Sequence, residues 1–167
     1  SNEVCATSNG MAGDTNGDAT LNVQDIIVMI NMIFGLENIN LQTADLNSDG
    51  DVSILDVIIL IGMVLDNHAI DATQAYLLDT NGDVSLTSDG YIGGVQMPLS
   101  HANDFSISLT DDALVSRYIT NDNITTLIVA APYSEHLFTA SGDYVITEMI
   151  VANSSEEIPV STPAMFS

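Results

Sequence analysis

The chain has 167 residues, 23 acidic side chains against one basic one (Arg117), and a formal net charge of −22. That balance excludes attraction to nucleic acid or to anionic membrane surfaces, both of which need clustered Lys and Arg. It leaves metal cations or a basic partner as counter-charge. Disorder does not explain the acidity, because 46% of the residues are hydrophobic and the mean hydropathy is +0.28. A single cysteine, Cys5, forms no internal disulfide.

Residues 1–11 read as a tail. After them comes an internal repeat, the strongest signal in the chain. Asp14-Thr-Asn16-Gly-Asp18 followed by Asp25-Ile-Ile recurs 31 residues later as Asp45-Leu-Asn47-Ser-Asp49 followed by Asp56-Val-Ile. Each polar loop runs into an apolar stretch, Ile26–Phe34 and Val57–Leu65, so each copy predicts a loop followed by a helix. Gly35 stands where a C-terminal helix glycine belongs, and Asp66-Asn67 close the second stretch.

Both loops match the calcium template, which takes oxygen ligands from positions 1, 3, 5, 7, 9 and 12 of a 12-residue loop. In the first loop these are Asp14, Asn16, Asp18, Thr20, Asn22 and Asp25. In the second they are Asp45, Asn47, Asp49, Asp51, Ser53 and Asp56. Thr20 and Asp51 contribute the backbone carbonyl of position 7, and Asn22 and Ser53 act through water. The expected ligand set is therefore Asp14, Asn16, Asp18, Thr20 and Asp25 for one Ca²⁺, and Asp45, Asn47, Asp49, Asp51 and Asp56 for a second. Position 6 favours glycine because the turn needs a positive φ. Gly50 meets that need and Ala19 does not, which predicts a strained or weaker first site. Asp79-Thr-Asn81-Gly-Asp83 looks like a third loop, but its position 12 would be Gly90. Asn81-Gly82 between two apolar runs instead predicts a tight β-hairpin.

Asp71 with Gln74 is compatible with one capped turn, and beyond it the pattern is β. Candidate strands span 75–79, 83–88, 91–99, 105–109, 113–119, 125–131, 136–139, 143–152 and 157–161, and many short strands at close spacing predict a sandwich or barrel. The fold class is thus α+β: a small helical domain at 12–67 and an all-β sandwich at 75–167, with the boundary at about 68–74. Both helices are apolar nearly all round, so each must bury a second face. Either the chain's own sandwich covers them or a partner does.

The paired repeat resembles a dockerin, through G-D-T-N-G-D-A-T-L-N-V-Q-D-I-I and A-D-L-N-S-D-G-D-V-S-I-L-D-V-I. The downstream half more faintly resembles a cohesin-like β-sandwich, through Ile92-Gly-Gly-Val-Gln-Met-Pro-Leu99 and Tyr144–Asn153. The resemblance implies calcium-dependent attachment of a secreted or cell-surface bacterial protein to a cohesin-like or other β-sandwich domain, in cis or in trans, including head-to-tail self-association. At loop positions 10 and 11, where dockerins often carry Ser or Thr, this chain has Val23-Gln24 and Ile54-Leu55. The other reading is a calcium-rigidified spacer whose helical half is packed on its own sandwich.

No catalytic constellation is evident. His68, His101 and His136 are isolated, no nucleophile elbow or phosphate loop occurs, and Asp111, Asp112, Glu135 and Glu148 remain as carboxylates outside the loops. The chain is expected to be non-catalytic.

Overall fold

A computed structural model describes residues 11–65 and 69–162; Cys5, Asp66-Asn67 and His68 lie outside them. Helix α1 spans Val23–Ile33, a single helical turn α2 spans Leu41–Ala44, and helix α3 spans Ile54–Val64. Both long helices begin three residues before the apolar runs, because Asn22 and Ser53 act as N-caps. Each forms a capping box in which the aspartate at the third helical position accepts from the cap amide. At the end of α1, Gly35 (φ +81°) follows the cap, with Gly35 N–H donating to Met32 and Leu36 N–H to Asn31. That left-handed closure is what the sequence expects of this glycine. Turn α2, capped by Asn40, had no periodicity to announce it; its Thr43 carbonyl accepts from Gly13 N–H and ties the entry of the first loop to the second repeat.

Ten strands follow among the described residues: β1 Ala75–Thr80, β2 Asp83–Ser88, β3 Gly94–His101, β4 Ser106–Leu109, β5 Ala113–Asn121, β6 Ile124–Pro132, β7 His136–Ser141, β8 Tyr144–Ile146, β9 Ile150–Ala152 and β10 Val160–Ser161. They form two sheets. One has the order β10-β1-β2-β7-β4 and the other β5-β6-β3-β8, with β9 also pairing with β3. Asn81 (φ +54°) and Gly82 (φ +92°) make the turn of the β1–β2 hairpin, so the third Asp-rich stretch is the predicted turn. The expected capped turn at Asp71–Gln74 does not form. Asp71 bridges to Tyr91 instead, and its carboxylate accepts from the Ser154 hydroxyl.

The stretch 143–152, expected as one strand, is two. Between the Leu99–Ile146 and Gln96–Ile150 partners, β3 has two residues and the facing chain has three. Pro98 stands at that point of β3 and has no N–H to give, while its carbonyl accepts from Thr147. The bulge thus falls where the ladder lacks a donor.

The sheets pack face to face around Leu77, Val84, Val95, Met97, Leu99, Leu127, Val129, Leu137 and Phe138. A second core lies on the far side of the β5-β6-β3 sheet. There Ile26, Met29, Ile30, Ile54, Val57, Leu60 and Ile61 of the helices close over Val115, Ile128 and Ala130. Strand β6 is therefore covered on both faces, and this accounts for its unbroken apolar run Leu127–Ala131. The molecule is α+β in three layers, helices on sheet on sheet. Among the described residues no helix is long and apolar enough to cross a membrane.

Candidate metal centres and the helix–sheet seat

Each repeat loop folds around its first aspartate. In the first, Asp14 accepts from the amides of Gly17 (3.1 Å), Asp18 (3.2 Å) and Ala19 (2.9 Å). In the second, Asp45 accepts from Asp49 (3.1 Å) and Gly50 (2.9 Å). The aspartates at position 12 have two tasks. Asp25 accepts from Asn22 N–H at 2.9 Å, closing the capping box, and from Asn16 N–H at 3.2 Å. Asp56 does the same with Ser53 (2.9 Å), Asn47 (3.1 Å) and Leu46 (2.7 Å). The start of each helix and the closing of each loop are one event, because the same carboxylate performs both.

These contacts bring Asp14, Asp18 and Asp25 together in one group and Asp45, Asp49 and Asp56 in another, each group's oxygens lying within 4.8 Å of one another. Two oxygens on opposite sides of one Ca²⁺ are about 5 Å apart, at 2.3–2.6 Å each, so the spacing fits the ion. The charge points the same way. Asp25 and Asp56 are both 0% exposed, in loops that contain no Lys or Arg. Backbone N–H groups offset only part of the cost of burying a carboxylate. Burial pushes the Asp56 carboxyl above its ordinary value despite those hydrogen bonds, and the neighbouring Asp49 adds to the rise. Each acidic group could hold a cation as counter-charge.

Of the other expected ligands, Asn16 and Asn47 accept from the amides of Asp18 and Asp49 (both 3.2 Å), which leaves each carbonyl oxygen a second lone pair. Thr20 and Asp51 donate their amides to Asp18 and Asp49 at 3.0 Å. The Asp51 carboxylate turns aside to Val52 N–H (2.9 Å) and is outside its group.

The expected inequality of the loops takes a different form. Two positions in each loop, the fourth and the sixth, have positive φ: Gly17 (+75°) and Ala19 (+66°) in the first, Ser48 (+62°) and Gly50 (+89°) in the second. Each loop thus has one glycine and one strained residue, at swapped positions. A side chain in this region costs about 1–2 kcal/mol, so the strain is shared, not confined to Ala19.

The described histidines have structural partners. His101 stacks on Phe105 with ring centroids 4.0 Å apart and bonds the buried Thr125 hydroxyl at 2.7 Å. His136 meets Asp83 at 3.2 Å and Thr139 at 3.1 Å. Asp111, Asp112, Glu135 and Glu148 join neither acidic group.

Sequence reasoning did not single out the seat of α3. At the start of β3, a Cβ on Gly94 would lie 3.0 Å from Ile54 Cδ1 and 3.2 Å from Ile58 Cγ2, and one on Gly93 would lie 3.0 Å from Ile58 Cγ2. The missing side chains let the helix settle onto the strand. The signal was present as Gly93-Gly94 inside an otherwise β-forming run.

Residues 12–65, about one third of the chain, match the family model of the dockerin type I domain. No relative is found among curated proteins. Among solved structures, a non-cellulosomal cohesin from the hyperthermophilic archaeon Archaeoglobus fulgidus is similar, at 13% identity and a TM-score of 0.34, over 57% of this chain and 84% of that one.

Proposed function

We propose that the chain is a non-catalytic, calcium-binding protein–protein interaction module of a secreted or cell-surface bacterial protein. In this reading its dockerin-like half, residues 12–67, is seated in cis on its own β-sandwich, residues 75–167. Asp14, Asn16, Asp18, Asp25 and the Thr20 carbonyl hold one Ca²⁺. Asp45, Asn47, Asp49, Asp56 and the Asp51 carbonyl hold the other. The ion supplies the counter-charge that the buried carboxylates lack and cross-links the loop to the first turn of its helix. Two divalent ions take the net charge from −22 to −18, so most of the acidity remains and suits an extracellular, saline setting.

The observation that carries the cis reading is the placement of Ile54 and Ile58 over Gly93-Gly94, within a core shared by helices and sheet. The chemistry is attachment without bond-making: calcium shapes the helices, and the helices offer an apolar face to a sheet. A second reading, docking in trans to a cohesin-like domain or head-to-tail with another copy, is favoured by the dockerin match and requires α3 to leave its seat.

Amide exchange on the monomer, in Ca²⁺ and in chelator, tests both. The expected result is protection of residues 54–64 in Ca²⁺ and its loss in chelator, while β2, β3 and β6 stay protected. Unprotected α3 amides in the Ca²⁺-loaded monomer would overturn the cis seat, and identical behaviour in chelator would overturn the calcium assignment.

A further inference from the structure

Strand β5 pairs only with β6 and is one free edge of its sheet among the described residues. At that edge lies a cavity of about 430 Å³, lined by Phe34 and Leu36 beyond α1, Ile107 and Leu109 of β4, and Tyr118 of β5. The cavity straddles the edge. Arg117, paired across to Ile128 of the helix-covered core, is on one face of β5; Tyr118, paired to Leu127 of the sandwich core, is on the other.

Arg117, the only Lys or Arg in the sequence, lines this cavity, is exposed and forms no ion pair among the described residues. An extended peptide answers it with a carboxylate, while alternate apolar side chains meet the lining.

We propose that the free edge of β5 is a docking site for an extended acidic peptide, whose backbone continues the sheet and whose carboxylate pairs with Arg117. A second copy's β5 is the wrong occupant. Arg117 is the middle residue of Ala113–Asn121, so antiparallel pairing of two copies centred on the strand sets arginine against arginine. Nor does the net charge forbid an acidic ligand. At physiological ionic strength charges are screened beyond about 8 Å, and within the cavity lining Asp111 is the only acid beside Arg117.

The probes are two blocked peptides of alternating Thr and Val, matching β5 in length, one with a central Glu and the other with a central Lys. They are titrated into the full Ca²⁺-loaded chain and into Arg117→Glu, with amide shifts and exchange as readouts. Wild type should bind the Glu peptide about tenfold more tightly than the Lys peptide, with shifts and new protection centred on β5. Arg117→Glu should reverse the preference. Equal affinity of wild type for both peptides, or binding of neither, would overturn the proposal. So would β5 protection that rises with protein concentration in the absence of peptide, which would assign the edge to a second copy.

Discussion

Helices α1 and α3 are each 11 residues long, start from a capping box and follow a loop of the same Asp-x-Asn-x-Asp pattern. Their surroundings differ. In α3 the residues Ile54, Val57, Ile58, Leu60 and Ile61 are all buried, and the helix lies against β3 and β6 over the glycine pair. In α1 the positions that correspond by the 31-residue offset to Ile54 and Ile58, namely Val23 and Ile27, are only partly buried, and the helix flanks the edge strand β5. A repeated local design does not fix an equal share of the interface. The sheet has one place where backbone can approach a helix closely, and only one of two helices can occupy it.

The largest expected effect comes from removing calcium from one loop at a time. At a hundredfold excess over Kd each ion stabilises the native state by about 2.7 kcal/mol, which for a chain of this size is a melting shift on the order of 10 °C. Asp14→Ala and Asp45→Ala should each cost one ion, counted by calorimetric titration. The comparison predicts a difference beyond the shared loss: Asp45→Ala should release the exchange protection of residues 54–64, whereas Asp14→Ala should leave α3 seated. Equal release by both variants would mean that the two helices act as one unit.

Next in size is the pair Ile58→Ala and Ile27→Ala. Truncating a fully buried isoleucine costs about 2–5 kcal/mol, and a partly buried one less, on the order of 1–2 kcal/mol. Denaturant unfolding should therefore rank Ile58→Ala well above Ile27→Ala, and equal losses would contradict the unequal seating.

The smallest effect concerns the loops. Ala19→Gly and Ser48→Gly should each relieve a left-handed residue and gain about 1 kcal/mol, read as a higher melting temperature in Ca²⁺. A gain at position 19 alone would restore the ranking in which the first loop is the weaker one.

Much of this was legible in the chain because the signals are local. The repeat loops, Gly35, the Asn81-Gly82 turn and most strands depend on neighbours within a few residues, where spacing and backbone preference decide the outcome. The aspartates at position 12 could be named as candidate ligands for the same reason. Local signals also had limits. The split of 143–152 depends on Pro98 in a strand far away in sequence, and the demand for a left-handed residue at position 4 as well as position 6 appeared only with the backbone.

The sequence by itself determined that both helices needed a cover, since neither has a polar face. Which surface covers them was decided by tertiary structure, because that choice depends on contacts between segments tens of residues apart. Gly93-Gly94 opens the seat, β6 supplies an apolar second face through Ile128 and Ala130, and α3 fills the gap. The energy of that seat lies in packing across the chain, and packing has no period along the sequence to reveal it.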